Sequence, residues 1–230
     1  MSQSRKLVVA IDGPAGSGKS TIAARLAKKL GYVNLESGAM YRALALKALE
    51  MDVPLDDGED LRNLALSSTI VLEPAGDGNR VQLDGRDVSQ RIREADVTVA
   101  ASRVSVHPRV RQVMVARQRA LGRKGGVVME GRDIGTAVFP DAEVKVFVDA
   151  DPGVRAERRL RQTALKSPRD ARRLRSEIAA RDERDRTRRN SPLVPAADAI
   201  TLDTTDMSID DVVAAVYRLV QEKLETEHPA

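Results

Sequence analysis

Residues Lys6 to Thr21, KLVVAIDGPAGSGKST, leave this chain little choice of fold. The apolar run Leu7 to Ile11 reads as a buried strand, Asp12-Gly13-Pro14 breaks it, and Thr21 to Leu30 has the pattern of a helix. Gly13 to Ser20 fits G-x-x-x-x-G-K-S/T, and between a strand and a helix that spacing makes a phosphate cradle. Gly13, Gly16 and Gly18 let the loop, with Pro14, Ala15 and Ser17, bend so that its N–H groups converge on phosphate oxygens. Lys19 is expected to reach the β- and γ-phosphates and Ser20 to ligate Mg²⁺. The helix N-terminus, with Thr21 in its first turn, adds its positive dipole end. An ordinary tight turn with a surface lysine is the bland alternative; the setting between strand and helix favours nucleotide binding.

A length of 230 residues, 42% of them hydrophobic, suits one large domain or one domain carrying an insert. Aromatic residues make up 2% of the chain, so the core is aliphatic. The absence of cysteine excludes disulfides, thiolate-zinc sites and a cysteine nucleophile, and agrees with a cytosolic setting. The N-terminal apolar run is shorter than a signal-peptide core, and no stretch approaches the roughly eighteen apolar residues of a membrane span. The expectation is a soluble, cytoplasmic protein.

The net charge of +4 is unevenly spread. Residues 155 to 189 hold fourteen Lys/Arg against six Asp/Glu, a net +8, and the rest of the chain is net −4. This basic stripe interleaves carboxylates and lacks the aromatic platforms of a single-strand binder. It reads as a phosphate-handling face.

Taken in order, the chain alternates strands and helices. A strand is expected at Tyr32 to Leu35, then a helix from Ser37 to Glu50 with Ser37 as its N-cap. Residues Val53 to Glu59 break the pattern. Two β runs, Thr69 to Leu72 and Arg80 to Leu83, flank Ala75-Gly76-Asp77-Gly78-Asn79, a hairpin signature, so about Pro54 to Arg93 reads as an inserted subdomain. Helices follow at Ala95 to Val106 and Pro108 to Leu121. Val127 to Glu130 and Val144 to Asp149 are β-branched runs suited to central parallel strands. A helix from Pro152, a bend near Lys166-Ser167-Pro168, a charged helix to about Arg189, a strand at Ala199 to Leu202 and a helix from Ser208 to Glu225 complete the chain. Five core strands separated by helices imply an α/β fold with a doubly wound parallel sheet and ligands at the carboxyl ends of its strands.

Which phosphate chemistry this is depends on what else the chain carries. No N-K-x-D guanine motif is present, and a helicase needs a longer chain. Glu130 and Asp149 are the acidic residues after apolar strands that a switch protein would want, but neither is specific. A small phosphotransferase with its own acceptor pocket remains. Three groups look like that pocket: Ser37 to Arg42 at a helix N-terminus; Glu130-Gly131-Arg132-Asp133-Ile134-Gly135-Thr136 after a central strand; and Arg181, Asp185 and Arg188 on one helix face. The bland readings are solvated salt bridges, with Arg132 and Asp133 paired to each other.

IDGPAGSGKST, LESGAMYR, ASRVSVHPRVR, EGRDIGTAVFPDA, RDERDRTR and PLVPAADAI resemble, in order, the segments of the bacterial cytidylate kinase family, and the resemblance spans nearly the whole chain. It implies transfer from ATP-Mg²⁺ to CMP and dCMP by a monomer with a core, an acceptor-side insert and an arginine-rich lid at about 155 to 170. It implies no nucleic-acid or membrane partner. By position, Ser102, Arg111 and Asp133 would read cytosine, Arg42 and Arg132 would hold the acceptor phosphate, and Arg181, Asp185 and Arg188 would surround its ribose and phosphate. Ser37 and Tyr41 would line the pocket. Lys19, Arg132 and the lid arginines Arg155, Arg158, Arg159 and Arg161 would stabilise the transferring phosphoryl group. The acceptor phosphate is already ionised, so no general base is required and His107 and His228 are structural or incidental. Two other readings stay open: a small P-loop kinase for UMP, AMP or shikimate, and an ATP-switched nucleic-acid binder using the basic segment.

Overall fold

The computed structural model describes residues 6–75, 78–161 and 167–227. In chain order they form β1 (Val8–Asp12), α1 (Lys19–Leu30), β2 (Val33–Glu36), α2 (Ser37–Glu50), α3 (Gly58–Ser67), β3 (Ile70–Ala75), β4 (Gly78–Leu83), β5 (Arg86–Asp87), α4 (Ala95–Val104), α5 (Pro108–Gly122), β6 (Val127–Gly131), β7 (Val144–Asp149), α6 (Pro152–Arg161), α7 (Pro168–Thr187), β8 (Ile200–Asp203) and α8 (Ile209–Glu227). A 3₁₀ turn lies at Arg91–Arg93 and a π-helical turn at Ile134–Val138.

The main sheet has the order β2-β6-β1-β7-β8, every neighbouring pair parallel. β1 is therefore central and must bury both faces. Its side chains alternate accordingly. Leu7, Val9 and Ile11 join α1 (Ile22, Leu26) and α8 (Val212, Val216, Val220) on one side. Ala10 joins α2, α4 and α5 on the other. This is the expected doubly wound sheet, and β7 has the bounds read from sequence. Among the described residues no helix is long and apolar enough to cross a membrane.

The insert region holds a three-stranded antiparallel sheet, β3-β4-β5. Leu72, Val81, Leu83, Val88 and Ile92 enter the same apolar cluster as Leu35, Leu44 and Met129, so this sheet has no separate core. Asn79 sews it to β2, accepting from the Glu36 N–H at 2.9 Å and donating to the Asn34 carbonyl at 2.8 Å. Helix α3 was not anticipated. Its signal was present: the Asp57 carboxylate accepts from the N–H groups of Glu59 and Asp60, and Leu61, Leu64 and Ala65 form the buried stripe that follows. Ser37 is not the cap of α2. Glu36 occupies that position, and Ser37 is the first helical residue, its hydroxyl donating to the Glu130 carbonyl at 2.7 Å. The hairpin tip at Gly76-Asp77, Lys166 in the expected bend, and His228 lie outside the described residues.

Candidate active site

At the carboxyl end of β1 the backbone has room for nothing larger than glycine. Gly13 has φ +149°, and a Cβ there would lie 2.0 Å from the Val148 carbonyl oxygen of β7. One at Gly16 would lie 2.7 Å from the Arg155 carbonyl oxygen. The loop then turns into α1 through Gly18. Lys19 is buried, with Nζ donating to the Pro14 carbonyl at 2.6 Å and to Ser17 Oγ at 3.2 Å. Burial, and then the nearby Arg132, push its amine down to about 7. Ser20 Oγ donates to Glu130 Oε1 at 3.2 Å. Burial and the neighbouring Glu36 hold Glu130 above the usual carboxylate range.

The loop after β6 stands beside this one, because β1 and β6 pair with Asp12 opposite Gly131. Asp12 accepts from the N–H groups of Ile134 and Gly135, at 2.8 and 2.7 Å. Burial raises it to about 6 against the pull of those two bonds. Arg132 and Asp133 do not pair with each other. Arg132 Nε donates to Asp185 Oδ2 at 3.0 Å, whereas Asp133 binds Arg111 and lies 3.6 Å from Arg188 Nη2. The Arg111 guanidinium sits over the Tyr41 ring, 5.6 Å from its centroid. Arg42 pairs with Glu36; burial would raise that carboxyl, but Arg42, Arg93 and Arg132 together hold it below its ordinary value.

Helix α7 brings its three expected residues to the same place. Asp185 is buried, 3.9 Å from both Arg181 Nε and Arg188 Nη1, and Arg188 stands one residue past the helix end. Burial and Arg132 draw Arg181 down to about 10. Ser102 accepts from Arg184 Nε at 3.0 Å, a partner not singled out in the sequence.

The arginines of α6 part company. Arg155 is buried, donating to the carbonyls of Ala150 and Ala15 at 3.0 and 2.9 Å and pairing with Asp182. Asp182 in turn accepts from the Ala15 N–H at 3.1 Å. In this structure Arg155 thus braces the phosphate loop, its Nε and Nη1 donors engaged by the carbonyls of Ala150 and Ala15 and by Asp182. Arg158 is engaged with Thr204, through Oγ1 at 3.1 Å and the carbonyl at 2.6 Å. Arg161 pairs with Glu157 at the surface. Burial, and then the charges of Arg42 and Arg93, lower the pKa of Arg159.

Sequence reading missed Asp12, Glu36, Asp182 and Arg184. Arg184 lies inside RDERDRTR, three residues after Arg181 and four before Arg188, so its spacing could have found it; Asp182 is turned to another side of α7, toward Arg155 and Ala15, and helical spacing did not mark it. The partners of Asp12 lie over a hundred residues away, and no local signal marks it.

A glycine loop built for phosphate and a cluster of arginines, gathered at the carboxyl ends of β1 and β6, are the layout of a small P-loop kinase. Over residues 9–222 the sequence matches the family described as cytidylate kinase. The cytidylate kinase of Enterococcus faecalis is 49% identical over 219 residues, 95% of this chain and 97% of that protein. That of Geobacillus kaustophilus is 47% identical over 221 residues, 96% and 99% of the two chains. The chain belongs to the cytidylate kinase family, and is a nucleoside monophosphate kinase. A solved structure of an uncharacterized protein from Eubacterium ventriosum shares the fold, with a TM-score of 0.50 at 14% identity, over 94% of this chain and 99% of that one.

Proposed function

We propose that this chain transfers the γ-phosphoryl group of ATP to CMP and dCMP. The observation that carries the reading is a set of buried guanidinium nitrogens that have no hydrogen-bond partner among the described residues: Nε of Arg42, Arg111 and Arg181, and Nη2 of Arg188. Buried donors left unpaired are costly, and a phosphate monoester and a pyrimidine with ring acceptors would satisfy them. On this reading Arg42 and Arg132 hold the acceptor phosphate, and Asp185 with Arg181 and Arg188 holds its ribose. Ser102, Arg111 and Asp133 read the base. Cytosine offers an N4 amino donor beside an N3 acceptor, which a carboxylate and a guanidinium match; uracil inverts both groups.

Lys19 and the backbone N–H groups of the loop from Gly16 to Thr21 carry the ATP phosphates, Pro14 having no N–H and the Ala15 N–H being held by Asp182. Ser20 Oγ and Glu130 offer hard oxygens that fit a divalent cation. Mg²⁺ would be held by Ser20, with Glu130 beside it and with phosphate and water oxygens. When bound it offsets charge on the β- and γ-oxygens. Arg159 and Arg132 are suited to stabilising the charge that spreads over the equatorial oxygens. Arg155 and Arg158 act indirectly, by fixing the loop and the chain near Thr204. Residues 54–93 serve the acceptor side and 155–170 the lid, within one cytoplasmic, monomeric domain with no nucleic-acid or membrane partner.

The test is ADP release with ATP-Mg²⁺ across CMP, dCMP, UMP, AMP and GMP. CMP and dCMP should exceed the others by at least tenfold in kcat/KM. Equal rates with UMP would overturn the base assignment, and no transfer to any monophosphate would overturn the reading as a whole.

A further inference from the structure

We propose that Asp12, which by sequence belongs to the phosphate loop, works for the acceptor side: its carboxylate caps the π-helical turn Ile134–Val138 and so releases Asp133 to bind Arg111 and Arg188. The first N–H groups of any helical turn have no acceptor within it, and the side chain just before the turn is the usual source of one. Here that residue is Asp133, yet its carboxylate makes no such bond. The N–H it would ordinarily serve, two residues on at Gly135, is taken by Asp12 Oδ2 at 2.7 Å, and Ile134 N–H by Oδ1 at 2.8 Å.

One carboxylate cannot point both into its own turn and at two guanidinium groups. With the turn capped from β1, Asp133 faces Arg111 and Arg188 from a buried position. The register supports this, since Asp12 lies opposite Gly131, two residues before Asp133. The charged groups facing Asp12 are Asp133, which repels it, and Lys19. Asp12 is then a positioning residue for base selection. The inference rests on Asp133 reading the base.

A double-mutant cycle separates the two ideas. Asp12→Asn keeps the shape but offers a single acceptor oxygen and turns an N–H toward the second donor. It is expected to lower CMP kcat/KM about tenfold through KM, narrow the CMP to UMP ratio, and leave the KM for ATP within about twofold. Asp133→Ala is expected to do the same, and the double variant to lose about tenfold, not a hundredfold. A multiplicative loss, or an ATP KM raised as much as that of CMP, would overturn the role of Asp12. A wild-type enzyme that does not prefer CMP to UMP would instead overturn the underlying reading. A measurement on the unaltered protein does not depend on the variants folding: the Ile134 and Gly135 amide proton shifts should titrate together with one buried carboxyl group, and shifts flat with pH would refute the cap.

Discussion

Lys19 is an amine placed where charge is costly. Burial and Arg132 bring its amine to about 7, whereas phosphate oxygens beside it would favour the ammonium form. The sign follows: the pKa in the ATP complex lies above that of the free enzyme, so ATP binding takes up a proton and weakens as pH rises above about 7. At pH 8.5, where ATP itself is fully ionised, calorimetry in buffers of different ionisation enthalpy should find an uptake approaching one proton. Lys19→Ala should abolish it and reduce turnover at least a hundredfold, about 3 kcal/mol of lost stabilisation at the transferring group. Zero uptake by the wild-type enzyme would mean that Lys19 is already charged in the free state.

Among the elements, α6 and α7 act on the phosphate loop through one joint, Arg155 and Asp182 gripping the backbone of Ala15 on both sides. Asp182→Ala leaves a buried guanidinium without its carboxylate, a loss of about 3 kcal/mol, and frees the Ala15 N–H. Urea unfolding should show the destabilisation, and kinetics a larger rise in KM for ATP than for CMP; equal rises would make the joint a general brace. How far the sequence revealed such features depends on their range. β1, β7, α1 and α2 were legible because their signals are local: an apolar run, a period, a glycine turn. The phosphate loop was legible for the same reason. Helix α3 was missed because Asp57-Gly58 looks like a turn until Leu61, Leu64 and Ala65 are read as its stripe. Arg155 was expected at the phosphates because composition shows charge but not the direction a side chain takes. The switch of Arg132 and Asp133 to partners on α5 and α7 depends on tertiary distances that no spacing encodes.

At the scale of the whole molecule, the charged cluster is a store of unmet hydrogen bonds, so the ligand that meets them should stabilise the fold. CMP at about a hundred times its dissociation constant adds about 2.7 kcal/mol, roughly 5–10 °C in Tm for a chain of this length. UMP at the same concentration should shift Tm far less, and equal shifts would argue against base selection. The apolar clusters are unequal: the insert strands share the large core of the main sheet, whereas Ala156, Leu174 and Ile178 form a small one between α6 and α7. The antiparallel strands are consequently cast in one piece with the sheet that carries the phosphate loop, and so is the floor of the acceptor pocket proposed above. If Ser102, Arg111 and Asp133 read the base as proposed, redesign toward another base would edit those three side chains on a floor that does not move, and the small cluster between α6 and α7 would be the softer place to alter.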